Sequence, residues 1–214
     1  LKIAIQKSGR LNEDSLTLLK ECGISINNGK DQLMAQASNF RLDVLYLRNS
    51  DIPQYVRDGV ADIAIIGDNT EKEKKTGIRH VLDLGFSRCR LSIAVPKNVD
   101  FQDISYLQGK KIATSYPNSL KDFLTENDIE AEIHEISGSV EIAPNIGLAD
   151  AICDLVSSGS TLFKNGLKEV YKIFESQAIL VANSGLCGEK QELLAQLVFR
   201  IKAVLAAKYN KYIL

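Results

Sequence analysis

The residues of this chain best suited to chemistry are one acid and the hydroxyl-rich turn that follows it. Asp154 lies near the end of the apolar run Ala151–Val156, whose composition and length predict a buried strand. Next in sequence come Ser157, Ser158, Gly159, Ser160 and Thr161. The carboxylate can accept hydrogen bonds from two ribose hydroxyls, and the turn offers hydroxyl and backbone N–H donors to an anion. The combination predicts a site for a ribose 5-phosphate.

The turn alone leaves two interpretations open. A strand, a Ser/Gly turn and a helix also describe an ordinary capped helix start, which needs no ligand. If residues 161–164 open a helix, its N-terminus would place a partial positive charge beside a bound anion. The turn also belongs to a wider set of residues. They are Glu141, Gly147, Ala149, Ile152, Asp154, Leu155, Ser158, Gly159, Thr161 and Leu162, and the resemblance that their order and spacing carry favours the ligand site.

This pattern resembles the signature of the ATP phosphoribosyltransferase family. The similarity extends over essentially the whole chain, and the other segments that carry it are 2–11, 51–67, 89–92, 111–117 and 138–141. The resemblance implies an enzyme that joins ATP and phosphoribosyl pyrophosphate into phosphoribosyl-ATP and pyrophosphate, the first step of histidine biosynthesis. It also implies that Asp154 holds the ribose, that the turn holds the 5-phosphate, and that Glu141 is a second contact to ribose or base.

A second group of candidate residues follows the first predicted strand. Lys7, Gly9 and Arg10 lie between that strand and the first predicted helix, where open α/β sheets place ligands. Two cations beside a glycine suit a polyphosphate, and only Arg10 can form a bidentate pair. A solvent-facing loop with an arginine beside a helix is the alternative. The resemblance favours catalytic roles for Arg10 and Lys7, with Arg10 facing the pyrophosphate leaving group or the nucleotide.

Ser115 and Tyr116 occupy a similar place, after a predicted strand and before a predicted helix. They are candidate substrate contacts, and the Tyr116 ring would either lie near the base or pack at an interface between lobes. One departure from the family lies just before Leu33, where relatives commonly carry an arginine. Here the segment contains Lys30, which could supply the charge from a shifted position and to which we assign no role.

Short apolar strands alternate with amphipathic helices along the chain, which predicts the α/β class. Strands are predicted at 2–6, 43–47, 62–66, 91–95, 111–115, 131–136, 151–156, 172–174 and 178–182. Helices are predicted at 11–22, with Asn12 as N-cap, and at 52–58, 118–127 and 189–209. The charged segment 71–75 is predicted to be a solvated face.

The resemblance implies two α/β lobes, like those of periplasmic solute-binding proteins, with the active site in the cleft between them. Lobe I would be discontinuous, comprising 1–90 and 179–214. Lobe II would comprise 91–178 and carry the ribose-phosphate signature. The chain would pass between the lobes near 90–95 and 178–182.

Bulk properties exclude several classes of protein. A formal net charge of −1 over 214 residues argues against a surface that coats nucleic acid. No apolar run approaches the ~20 residues that a membrane span needs. The cysteines Cys22, Cys89, Cys153 and Cys187 are scattered without a CxxC pair, which predicts buried thiols in a cytoplasmic protein.

The family resemblance also implies a cofactor and an assembly. Mg²⁺ would be bound through substrate phosphates, so no dedicated protein ligands to a metal are expected. The catalytic cores would form a homodimer, and a long-form enzyme would form a hexamer. Residues 208–214 resemble the junction to a regulatory domain of the long form, so we expect the catalytic core of such an enzyme. The alternative is the short form of the family, which lacks that domain and relies on a separate partner resembling a histidyl-tRNA synthetase.

Two other functions fit parts of the sequence. A two-lobe protein that binds an anion or solute without catalysis would need the phosphate turn but not Asp154, Lys7 and Arg10. A phosphoribosyltransferase for another base would also combine an acid with a Ser/Gly/Thr turn. Fold alone does not decide among these functions.

Overall fold

A computed structural model describes residues 1–27 and 32–211 of the chain, with side chains up to residue 208. Its strands, in chain order, are β1 (Lys2–Gln6), β2 (Met34–Gln36), β3 (Asp43–Leu47), β4 (Ile63–Gly67), β5 (Arg79–Asp83), β6 (Cys89–Pro96), β7 (Lys111–Thr114), β8 (Glu132–Glu135), β9 (Ala151–Val156), β10 (Leu167–Ser176) and β11 (Ala178–Ala182). Its α-helices are α1 (Arg10–Glu21), α2 (Ile52–Arg57), α3 (Asp68–Lys74), α4 (Pro117–Glu126), α5 (Ser160–Lys164) and α6 (Gly188–Lys211). The predicted α/β class is confirmed.

The chain divides into two compact units. Unit 1 comprises Leu1–Ser87 and Gln177–Leu214, and unit 2 comprises Arg88–Ser176. Each unit contains its own sheet with apolar clusters on both faces. Helices cover these faces because strands that are buried on both sides need an apolar cover on each.

Unit 1 is built on a six-stranded sheet in the order β2-β3-β1-β4-β11-β5. Strands β3, β1 and β4 are parallel, whereas β11 runs antiparallel to β4. Helices α1 and α6 contribute to the apolar cluster on one face, and α2 contributes to the cluster on the other. Parallel strands end at a common edge, so the segments that follow β1, β3 and β4 lie at one edge of this sheet.

One local prediction for unit 1 is wrong, and another holds only in part. Asn12 does not cap α1, since Gly9 adopts φ 88° and its carbonyl accepts the first helical hydrogen bond, from Glu13 N–H at 3.1 Å. Asn12 lies inside the helix and donates instead to the Gln6 carbonyl at 2.7 Å. The charged segment 71–75 belongs largely to α3, whose periodicity turns Glu73 to the inside at 6% exposure.

Unit 2 is built on a five-stranded sheet in the order β10-β6-β9-β7-β8. Strands β9, β7 and β8 are parallel, and β6 runs antiparallel to both of its neighbours. Helix α4 packs on one face, while α5 and the 3-10 turn Val140–Ile142 pack on the other. The second face is the one from which the candidate site is built.

The four cysteines are free thiols, as predicted, but only two of them are buried. Burial raises the pKa of the Cys22 thiol to about 11, which keeps that sulfur protonated and unreactive. Cys89 is half-buried, and the prediction of a buried side chain is wrong for Cys187, which is exposed. Within the described part of the chain, no helix has the length and apolar character needed to cross a bilayer.

Candidate functional site

Strand β9 delivers the predicted acid and turn to the face of unit 2 that carries α5. The strand ends at Val156, and α5 begins at Ser160, one residue before the predicted start. Gly159 joins them with φ 77° and ψ 0°, a left-handed conformation that side chains disfavour. Leu162 anchors the short helix because its side chain is buried in the apolar cluster beneath it. The sequence therefore predicts the order of strand, turn and helix correctly, and the structure adds that Gly159 is needed for its backbone conformation.

A pocket of about 140 Å³ lies at this turn. It is larger than the roughly 30 Å³ that one water molecule occupies in the liquid. Its lining residues are Glu141, Asp154, Leu155, Val156, Ser157, Ser158, Gly159, Thr161 and Leu162. The 3-10 turn Val140–Ile142 brings Glu141 to the pocket, and Val140 fastens that turn to the cluster under β9. Residues from two separate segments, both predicted from the sequence, thus meet in one cavity.

Asp154 is half-buried on β9, directly opposite the fully buried Ser92 of β6. Its carboxylate accepts a hydrogen bond from the Leu155 N–H at 2.8 Å. Burial raises the pKa of Asp154 to about 6, the Leu155 hydrogen bond lowers it in part, and the charge of Glu141 raises it further. Burial disfavours the ionised form of this carboxylate. Hydrogen bonds donated by a ligand would stabilise the ionised form and so favour binding.

The polar groups of the turn fall into two sets. Ser158 and Ser160 bond to each other, with the Ser158 hydroxyl donating to Ser160 Oγ at 3.0 Å. Ser160 does not line the pocket, although the sequence predicts it as a contact. The hydroxyls of Ser157 and Thr161, and the N–H groups of Gly159 and Thr161, make no hydrogen bond to any other residue that the structure describes. This second set is available to a ligand.

Ser115 and Tyr116 lie at the end of β7, also in unit 2. The Ser115 hydroxyl donates to the Ile136 carbonyl at 2.6 Å, so it ties the end of β7 to the end of β8. The Tyr116 ring packs against the apolar cluster under α4, and its N–H donates to Thr114 Oγ1 at 2.8 Å. Both side chains have roles within the unit that the sequence did not indicate.

Lys7, Gly9 and Arg10 belong to unit 1, where they form the link between β1 and α1. Arg10 is 70% exposed, and its Nε lies 3.8 Å from the Asp14 carboxylate one helical turn away. A pair at that distance and exposure is weak and leaves the guanidinium open to another anion. The neighbouring strand β3 ends beside this link, since the Lys7 N–H donates to the Leu47 carbonyl at 2.8 Å.

Two further polar residues lie at the same sheet edge and were not predicted from the sequence. Arg48 and Asn49 follow β3 directly, and the Asn49 amide donates to Thr70 Oγ1 at 2.9 Å. The Asn49 Oδ1 atom is buried without a hydrogen-bond partner in the described structure. Their position after a predicted parallel strand was the available signal. Lys30, the possible substitute for the family arginine, lies outside the described residues.

No cluster of three or more His, Cys, Asp or Glu side chains suited to a metal ion occurs among residues 1–27 and 32–208. Two larger depressions of unit 1 border residues 39–41, and neither is lined by a residue that the sequence assigns to a site. The pocket at Asp154 is therefore the cavity whose lining includes residues that the sequence predicts for a site.

Comparison with known proteins places this geometry in a family context. A family model described as ATP phosphoribosyltransferase matches residues 48–203. The ATP phosphoribosyltransferase of Cytophaga hutchinsonii is 58% identical over 214 residues, which is 100% of this chain and 75% of that protein. That of Phocaeicola vulgatus is 53% identical over the same 214 residues and 76% of its own length.

Solved structures give two kinds of similarity. The ATP phosphoribosyl transferase (HisG:HisZ) complex from Thermotoga maritima matches with a TM-score of 0.83 and 29% identity, over 97% of this chain and 99% of that one. The substrate binding protein of an amino acid ABC transporter matches with a TM-score of 0.64 and 13% identity, over 99% and 96%. The second similarity is one of fold alone.

Proposed function

The chain belongs to the ATP phosphoribosyltransferase family, and from this premise we propose how its residues divide the work of the reaction. The enzyme transfers the 5-phosphoribosyl group of phosphoribosyl pyrophosphate to the adenine ring of ATP. The products are phosphoribosyl-ATP and pyrophosphate, and the reaction is the first step of histidine biosynthesis. Identity of 58% across all 214 residues is the observation that carries this function.

The pocket at Asp154 is the proposed site for the ribose 5-phosphate. The Asp154 carboxylate would accept hydrogen bonds from the ribose hydroxyls, and Glu141 would lie beside the same sugar. The phosphate would be held by the Ser157 and Thr161 hydroxyls and by the N–H groups of the turn. These donors support the proposal because they make no hydrogen bond within the described structure.

Gly159→Ala offers a test of the turn with a matched control. Gly159 and Gly166 flank α5 with φ 77° and 71°, and in both cases an added Cβ meets no atom closer than 3.9 Å. Each alanine should therefore cost a similar free energy of unfolding, about 1 kcal/mol, from backbone strain alone. Only Gly159 lines the pocket, so only Gly159→Ala should raise KM for phosphoribosyl pyrophosphate, by about tenfold. Equal KM values for the two variants would remove the turn from the site.

Lys7, Gly9 and Arg10 are proposed to face the pyrophosphate or the triphosphate. The Lys7 and Arg10 side chains are exposed in the segment that follows a parallel strand, a common position for anion ligands. Mg²⁺ would be held chiefly by substrate phosphates, because this small cation usually binds through few carboxylates and the phosphates of its substrate. When bound, the ion would neutralise charge on the departing pyrophosphate.

The proposed mechanism relies on position and charge rather than on a general base. The attacking adenine ring nitrogen, beside the exocyclic amine, is neutral and already has a free lone pair. As the pyrophosphate leaves, positive charge develops at the anomeric carbon, where the ionised Asp154 and Glu141 would lie nearby. Arg10 and Lys7 would stabilise the negative charge on the leaving group, and each such contact contributes about 2–4 kcal/mol to the transition state.

One incubation tests the function and separates it from the alternatives. The chain is mixed with ATP, phosphoribosyl pyrophosphate, Mg²⁺ and a pyrophosphatase, and the products are analysed by mass spectrometry. We expect an adduct of ATP with one phosphoribosyl group. Reaction with free bases instead of ATP would indicate another phosphoribosyltransferase, and binding without turnover would indicate a solute-binding protein.

Assembly and location are part of the same proposal. We propose that the chain forms a homodimer, that a longer form would assemble as a hexamer, and that the enzyme works in the cytoplasm. The Thermotoga maritima relative was solved as a complex, which supports an assembly of some kind. Light scattering of the purified protein would give its mass in solution, and a monomer at micromolar concentration would contradict the homodimer.

A further inference from the structure

The Arg90 side chain, on β6, connects the turn at residues 157–161 to strand β10. Its Nε donates to Glu169 Oε1 at 2.6 Å and its Nη2 donates to Glu169 Oε2 at 2.5 Å. Its remaining nitrogen, Nη1, donates to the Ser157 carbonyl at 3.0 Å. The Ser92 hydroxyl donates to the same Glu169 carboxylate at 2.8 Å. All three guanidinium nitrogens are thus used inside the protein.

Sheet register explains how these groups meet. Arg90 and Ser92 are two residues apart on β6, so they project from the same face of the sheet. Arg90 lies opposite Val156 on β9, and Ser92 lies opposite Asp154. Glu169 comes from β10, on the other side of β6. The Arg90–Glu169 pair therefore lies on the face that carries Asp154 and extends from β10 to the first residue after β9.

We infer that Arg90 is a positioning residue for the phosphoribosyl site: by holding the Ser157 carbonyl to Glu169, it sets where the turn lies relative to Asp154. This inference rests on the proposed role of the turn and adds residues to it. Ser157 is the first residue of the turn, between the carboxylate that would hold the ribose and the donors that would hold the phosphate. Its carbonyl accepts the Arg90 hydrogen bond, which joins the start of the turn to β6 and, through Glu169, to β10.

The alternative is an ion pair that stabilises the sheet and nothing more. The pair is only partly shielded, with side-chain exposures of 31% for Arg90 and 25% for Glu169. The Arg90 hydrogen bonds lower the pKa of Glu169, so both groups stay ionised at neutral pH. A purely structural pair would change stability alone when it is broken, whereas a positioning residue would change the binding of one substrate selectively.

Arg90→Lys distinguishes the two roles because lysine keeps the positive charge but lacks the planar fork that holds both Glu169 oxygens and the Ser157 carbonyl at once. We expect KM for phosphoribosyl pyrophosphate to rise about tenfold or more, since a displaced turn no longer matches the sugar phosphate. KM for ATP should change less than about twofold. Arg41→Lys is the control, because Arg41 pairs with Glu189 in unit 1 and lies outside the pocket at Asp154. Its kinetics should match those of the unaltered enzyme.

Hydrogen exchange tests the same inference without activity. Amides of residues 157–161 should exchange faster in Arg90→Lys than in the unaltered protein, while those of β7 should not change. Glu169→Gln should give the same pattern of exchange. This variant replaces Arg90→Lys in the experiment if Arg90→Lys does not fold. Unchanged exchange and unchanged KM in a folded variant would overturn the inference. If the unaltered chain made no phosphoribosyl-ATP, the proposed function would fail, and the exchange data alone would decide whether Arg90 positions the turn.

Discussion

Asp154→Asn is expected to lower kcat/KM for phosphoribosyl pyrophosphate by about 10²-fold while making the ligand-free protein more stable at neutral pH. The loss follows because an amide accepts weaker hydrogen bonds than a carboxylate and offers the developing cation no negative charge. The gain in stability follows because burial disfavours the ionised form of Asp154 and raises its pKa to about 6, so a neutral amide costs less to bury. A substitution that helps folding and harms turnover identifies a residue that is kept for chemistry.

The sign of the pH effect follows from the direction of the pKa shift. The pKa of Asp154 is raised from 3.8 to about 6, so the folded state binds a proton that the unfolded state has released between these values. The cost of ionising Asp154 in the folded protein therefore grows as pH rises from about 4 through about 6 and is constant above. Relative to the unaltered protein, Asp154→Asn should gain no stability near pH 4 and up to about 3 kcal/mol above pH 7.

Denaturant unfolding at several pH values, together with steady-state kinetics, measures both effects. Asp150→Asn is the control, because Asp150 is exposed, accepts the Lys111 N–H at 2.9 Å and lies outside the pocket. It should leave KM unchanged and show no stability gain that grows with pH. Kinetics of Asp154→Asn equal to those of the unaltered enzyme would remove Asp154 from the site. A stability difference independent of pH would contradict the burial of its charge.

Arg10→Ala is the second substitution with a large expected effect, a fall in kcat of about 10²-fold with little change in the free energy of unfolding. Arg10 is exposed and its contact with Asp14 is 3.8 Å long, so the folded protein loses almost nothing when it is removed. The leaving pyrophosphate would lose a bidentate partner at the moment when its charge increases. Arg10→Lys should restore part of kcat, because it returns the charge without the planar fork.

The control for Arg10 is another exposed arginine with a loose acidic neighbour. Arg57 is 52% exposed at the end of α2, and its Nε lies 3.5 Å from Asp58. Arg57→Ala should leave kcat and both KM values unchanged. Measurement of pyrophosphate release in a single turnover isolates the step that Arg10 is proposed to assist. A release rate in Arg10→Ala equal to that of the unaltered enzyme would exclude Arg10 from leaving-group stabilisation.

Local elements followed well from the sequence where one physical signal dominated. The bounds of β1, β3, β9 and β11 agree with the predicted ranges, since each strand of five or six residues is mostly apolar. The prediction for 172–174 is too short, because β10 spans Leu167–Ser176 with two register shifts and residues that are mostly partly buried or exposed, which hides the pattern of a strand. Asn12 is predicted as a helix cap from its residue type alone. The N-cap is Gly9, three residues earlier, with φ 88°.

By itself the sequence determined the family, the α/β class, the acid and the turn that would hold a ribose phosphate, because these depend on residue types at short spacing. Only the tertiary structure decided which groups meet and in what electrostatic state. Arg90 lies 79 positions from Glu169 and 67 from Ser157, and sheet register brings the three together. Burial raises the pKa of Asp154, and burial depends on elements distant in sequence that cover a strand, which spacing along the chain does not reveal.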